Sequence, residues 1–216
     1  MELYHALLIV LGVVSVVYLI TLAFKPGILQ YILKGCLMPL VLAVYISGVG
    51  TGNIFLPILL ALIFAWAGDV LLIKITNILW FKLGLASFLI GHICYIVAMY
   101  RFAVPFNIPV LVVSIVIAVC FGFIAYKVVK PGKQMKIPVI AYEAIIMTMA
   151  IFALQLFLEH RSLFGILVFA GSICFVVSDT LLALQTFRKA RIYFTVMVTY
   201  IAAQLLIALG FINILC

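Results

Sequence analysis

Eight apolar stretches of about twenty residues each, parted only by short polar or Pro/Gly breaks, leave this 216-residue chain few ways to fold. They run roughly Leu3 to Phe24, Leu29 to Ser47, Ile54 to Ile73, Leu83 to Tyr100, Pro109 to Val129, Pro138 to Leu158, Leu163 to Phe187 and Ile192 to Leu215. At about 1.5 Å rise per residue, each is long enough to cross a hydrocarbon core roughly 30 Å thick as a helix. They are too long for barrel strands, and in lipid every backbone N–H and C=O must be paired within the protein, so the spans read as helices. The breaks, such as "KPG", "SGVGTGN", "KITNILWFK" and "EHRS", are too short to hold a soluble domain. The sequence thus predicts an all-α, polytopic bundle of eight transmembrane helices, a single domain over residues 1–216. Composition agrees: 69% of residues are hydrophobic and 8% charged, with a mean hydropathy of +1.49, far from soluble globular domains. The first span has no basic n-region and no A-x-A site, so it reads as a retained helix rather than a signal peptide.

A net charge of +8 could point to nucleic acid, but its distribution points to a membrane instead. Lys25, Lys34, Lys74, Lys82, Lys127, Lys130, Lys133, Lys136, Arg188, Lys189 and Arg191 fall at alternate span ends, and only Arg101 and Arg161 at the others. By the positive-inside rule the basic ends are cytoplasmic and both termini lie outside. The basicity sets topology and attracts anionic lipid heads, with no nucleic acid partner. The five cysteines, Cys36, Cys94, Cys120, Cys174 and Cys216, occur singly and read as small buried hydrophobes.

With the basic ends fixed, each intramembrane polar residue acquires a depth. Lys34, Asp69, His92, Glu143, Asp179 and Tyr200 all fall within about three turns of a basic end, most of them roughly 7 to 15 Å deep at 1.5 Å per residue. A lone Asp or Lys at a helix centre costs about 2.5 to 3.5 kcal/mol on insertion scales, so these groups should converge on one polar cavity. Glu143 is the natural ion-pair partner for Lys34. In the third span Ala61, Ala65 and Gly68 form a small-residue stripe beside Asp69 that lets a neighbouring helix approach closely. The third and seventh spans run the same way and both read small-Asp-x-Leu, as a four-helix unit duplicated in parallel would.

The segments "AGDVLL" (67–72), "FLIGHICY" (88–95), "YEAIIMTM" (142–149), "SDTLLALQTF" (178–187) and "TYIAAQ" (199–204), in this order on eight spans, resemble the YhhN-like family, which includes the animal lysoplasmalogenases. The likeness covers nearly the whole chain. It departs from the family at the second-helix Lys-Pro pattern, which here reads "KGCLMP", so Lys34 lacks the adjacent proline. The resemblance implies an intramembrane hydrolase that cleaves the vinyl-ether bond of a lysoplasmalogen to a fatty aldehyde and a glycerophospho-ethanolamine or -choline. It implies Asp69 and Asp179 as the catalytic pair. Another lysolipid ether is the alternative substrate.

The chemistry suits that pair. A vinyl ether hydrolyses by protonation at the carbon beta to oxygen, giving an oxocarbenium ion that water captures. One acid must be kept protonated and one anion must stabilise the cation, the logic of glycosidases. Two aspartates sharing a low-dielectric site supply both, because they cannot readily ionise together. His92 would orient a carboxylate or relay protons, and Lys34 would meet the substrate phosphate. Tyr142, Glu143, Tyr200 and Gln204 would line the cavity. No metal or other cofactor is expected, since there is one core histidine and no H-x-x-x-H or H-E-x-x-H pattern. The expected partners are a lysophospholipid substrate and membrane lipid. The expected location is the cell (inner) membrane, with the site toward the cytoplasm. The competing class is a proton-coupled carrier of a small or lipid-like substrate. Against it, the polar groups cluster toward one leaflet and no span carries a mid-helix Gly/Pro pair.

Overall fold

The computed structural model describes residues 2–24, 27–74, 78–102 and 107–216. Lys25, counted above among the basic ends, lies outside them, as does the side chain of Lys74. The chain is all-helical, 91% helix with no strand among the described residues. Eight helices follow in order: α1 (Glu2–Thr21), α2 (Ile28–Val49), α3 (Leu56–Leu71), α4 (Ile78–Arg101), α5 (Ile108–Val129), α6 (Lys136–His160), α7 (Leu163–Arg188) and α8 (Tyr193–Leu215). Seven are long and apolar enough to cross a membrane, and α3 is a shorter apolar helix.

Two expectations are corrected here. The third span forms only 16 residues of α-helix before tightening into a 3-10 turn at Leu72–Lys74, so Asp69 stands in the last turn of its helix. The fourth span begins at Ile78 rather than Leu83. The residues "ILWFK" counted in a polar break are helix, because an aromatic and a single lysine at the interface do not interrupt one.

Six helices close a ring in the order α2, α3, α4, α6, α7, α8, with α8 returning to α2. Outside it, α1 lies against α2 and α8, and α5 against α6 and α7. Only 17% of the apolar window of α1 and 11% of that of α5 is buried, against 56% for α8. The first four helices and the last four pack alike: α1·α2 matches α5·α6, α2·α3 matches α6·α7, α3·α4 matches α7·α8, and α4·α6 matches α8·α2. This is the pattern a parallel duplication produces, and it puts Asp69 and Asp179 on corresponding helices, α3 and α7.

The closest pairs, α3 with α4 and α7 with α8, meet across small residues. Ala61 and Ala65 are buried, and a Cβ added at Gly68 would stand 2.7 Å from the Phe88 ring. The stripe beside Asp69 is therefore the surface on which α4 packs. A second contact fixes α2 to α3. Pro39, inside α2, has no N–H for the carbonyl of Gly35 four residues back, and the Trp66 indole of α3 donates to that carbonyl at 3.0 Å.

The cysteines contradict their expected burial. All five are unbridged, Cys36, Cys120 and Cys216 are exposed, and Cys94 and Cys174 are half-buried. Where lipid replaces water an outward thiol costs little, so apolar character alone does not predict an inward face.

Candidate active site

Each aspartate is held by one residue from its own half of the chain and one from the other half. Asp69 Oδ2 accepts a 2.8 Å hydrogen bond from the Tyr200 hydroxyl on α8, and Oδ1 lies 3.8 Å from Lys34 Nζ on α2. Asp179 faces Tyr142 on α6, whose hydroxyl donates to Oδ2, and His92 on α4, whose Nε2 stands 3.8 Å from the same oxygen. Under the duplicated packing α2 corresponds to α6 and α4 to α8, so Lys34 and Tyr142 come from matching helices, as do Tyr200 and His92.

The two settings match in shape and differ in charge. Asp69 has an ammonium across from it. Asp179 has a phenol and an imidazole. His92 Nδ1 is 2.7 Å from the Phe88 carbonyl; a carbonyl only accepts, so Nδ1 carries the ring proton and Nε2 presents a lone pair. That Nε2 is buried with no hydrogen-bond partner. A lone pair facing a carboxylate oxygen sets two acceptors against each other, a conflict that a proton on either group relieves.

Beyond the aspartates the network continues. Tyr95 donates to Gln204 Oε1 at 2.6 Å, and Gln204 Nε2 reaches the Tyr200 hydroxyl at 3.5 Å. Tyr200 can then accept from Gln204 while donating to Asp69, which fixes the direction of its proton. Lys34, Asp69, Asp179 and Tyr200 line one small cavity of about 30 Å³. Tyr142, Glu143 and Asp179 line an adjoining one of about 40 Å³. Each has room for water.

Lys34, Asp69, Tyr200 and Gln204 thus gather in one cluster, and His92, Tyr142 and Asp179 in the other, with Glu143 in the wall of the second cavity. The expected Glu143–Lys34 ion pair is the correction. Glu143 does not pair with Lys34, whose partner is Asp69. Its Oε1 is buried without a hydrogen-bond partner, and its side chain also lines a larger cleft between α5, α6 and α7. Depth along α6 placed it at the right height, but its azimuth turns it toward α5.

Two contributors escaped the sequence reading. The Tyr193 ring centroid lies 5.8 Å from Lys34 Nζ, within cation–π range, and its hydroxyl is 3.4 Å from that of Tyr18. Ser178, beside Asp179, donates to the Val196 carbonyl at 3.1 Å and ties α7 to α8. A signal for Tyr193 existed: Tyr193 and Tyr200, seven apart, share a helix face. Among the described residues no three or more His, Cys, Asp or Glu side chains gather into a group able to hold a metal.

The YhhN family model matches residues 29–211, nearly all of α2 through α8, with α1 outside the match. No curated protein and no solved structure matches the chain.

Proposed function

The chain belongs to the YhhN family, and from that premise we propose that it is an intramembrane ether hydrolase of lysoplasmalogenase type, acting on a single-chain vinyl-ether phospholipid. The observation that carries this reading is the pair of aspartates on corresponding helices, lining one cavity with one carboxyl facing a cation and the other facing none.

Asp179 is the acid. It delivers its proton to the vinyl carbon beta to the ether oxygen, and the Tyr142 hydroxyl stabilises the carboxylate left behind. The resulting oxocarbenium ion is stabilised by the Asp69 carboxylate, which Lys34 and Tyr200 keep in place. Water adds to the cationic carbon and returns a proton to Asp179, with the His92 Nε2 lone pair close enough to take part in the transfer. The hemiacetal then collapses to aldehyde and alcohol, so one water is consumed per bond broken. The Lys34 end of the cavity suits the phosphate. The basic end of the bundle would face the cytoplasm, in the cell membrane.

The test is aldehyde release from a lysoplasmalogen by purified protein in detergent, beside Asp69→Asn and Asp179→Asn, each checked for an intact elution profile. General acid catalysis contributes about 100- to 10,000-fold and electrostatic stabilisation of developing charge about 100- to 1,000-fold, so each variant should lose at least about 100-fold in rate. Well-folded native protein that releases no aldehyde would overturn the vinyl-ether reading.

A further inference from the structure

The aspartate cavities are too small for a lipid chain, and a space that is not shares walls with them. The cleft between α5, α6 and α7 has a volume of about 380 Å³, within the roughly 300–1,000 Å³ of small-molecule sites. It shares Val139, Glu143 and Ala183 with the cavity that holds Tyr142 and Asp179. That cavity in turn shares Leu72, Phe88, Asp179 and Leu182 with the one holding Asp69 and Lys34. The three spaces form one series from the lipid-facing side of the bundle to the aspartates.

Its shape is that of a groove. Along α5 the lining runs from Ile115 to Val129, roughly 21 Å at 1.5 Å per residue. The far end, at Ile115 and Ile151, is apolar, and Glu143 and Tyr126 stand toward the basic end. A lipid chain in one leaflet has the same polarity, with oxygens at the interface and hydrocarbon running inward. Small side chains at Ala118 and Gly122 make the space, and α5 has few other ties to the ring. Glu143 supplies the charged marker: a carboxyl oxygen buried without a partner in a mostly apolar wall is costly unless a donor arrives.

We propose that this cleft is the lateral access route and chain-binding slot for the hydrocarbon chain of a single-chain phospholipid, with Glu143 at the boundary between chain and polar end as acceptor for a lipid hydroxyl. The position of the slot rests on the geometry. The identity of the bond presented to Asp179 rests on the function proposed above.

A saturated alkyl-ether lysophospholipid with a diazirine at its chain terminus is the probe, since it has no vinyl ether to cleave. Irradiated with the purified protein in nanodiscs, it should label α5 and α6 near Ile115 and Ile151, mapped by peptide mass spectrometry. Labelling should saturate and be displaced by the unlabelled lipid but not by an equal excess of diacyl phospholipid. Gly122→Leu and Ala118→Trp fill the slot and should each cut labelling at least tenfold. A Cβ at Gly122 would meet only Glu143 Cγ, at 3.6 Å, so the backbone accepts a side chain there. Non-saturable labelling, labelling spread around all lipid-facing helices, or equal labelling of both folded variants would overturn the slot as an annular lipid groove. Aldehyde release measured on the same preparation separates the two readings. Aldehyde without mapped labelling sinks the slot alone, whereas saturable labelling without aldehyde upholds the slot and sinks the hydrolase.

Discussion

Lys34 and Asp69 face each other with side chains only 9% and 5% exposed. Removing one member of such a pair strands the other charge, at a cost of about 3–5 kcal/mol, while removing both is often nearly neutral. Lys34→Met should therefore destabilise the protein by about 3–5 kcal/mol, and Lys34→Met with Asp69→Asn should regain most of it while remaining inactive. Reversible unfolding in mixed micelles measures both, and a Lys34→Met protein as stable as the native one would mean that the ammonium reaches the interface instead. Tyr142 tests the other aspartate. If its hydroxyl stabilises the carboxylate formed as Asp179 gives up its proton, Tyr142→Phe loses an interaction made in the transition state. Aldehyde assays should then find kcat down about tenfold or more with KM little changed. The aspartates were legible in the sequence because a charge in an apolar helix demands a reason. Glu143 and Tyr193 were not legible to the same degree, because counting residues from a helix end fixes height and leaves azimuth open.

At the scale of helices, hydropathy found all eight elements, since the length needed to cross lipid is set by the bilayer rather than by subtle propensities. It failed where that constraint relaxes: α3 stops short at Leu71, and α4 begins early at Ile78. It also could not say which faces pack, because in lipid both faces of a helix are apolar and the inward one is marked by small residues instead. Gly171 of α7 is such a mark. A Cβ there would meet the Ala203 carbonyl oxygen at 3.0 Å and the Ile207 backbone nitrogen at 3.1 Å on α8. Gly171→Ala must push two backbones apart and should cost about 1–3 kcal/mol, as overpacking does. Gly12 of α1 has nothing within 4 Å of its added Cβ, so Gly12→Ala should gain about 0.5–1 kcal/mol from helix propensity. Unfolding midpoints of the two variants in the same micelle should move in opposite directions. A Gly171→Ala midpoint at or above that of the native protein would contradict the tight α7–α8 contact.

The whole molecule is two similarly packed sets of four helices that close one ring, and the proposed catalytic arrangement exists only where they meet. Within the first set Asp69 has Lys34 but lacks Tyr200; within the second Asp179 has Tyr142 but lacks His92. Neither set can complete either carboxylate's surroundings, and each alone would expose to lipid the polar groups that the other covers, at a cost of several kcal/mol. The matched small-Asp-x-Leu segments hinted at this duplication, but its consequence, partners exchanged across the halves, is a property of ring closure that no local pattern carries. Cutting the chain between α4 and α5 tests it. Residues 1–104 and 105–216 produced together as separate chains should co-purify, because α4·α6 and α8·α2 seal the ring on both sides without the connecting peptide. The co-purified pair should release aldehyde, and neither fragment alone should do so. Asp69→Asn in one fragment should silence the pair, and native protein from the intact chain supplies the reference rate. Fragments that fold separately and never associate would mean that the halves are independent units, and the shared cavity would then have to be abandoned.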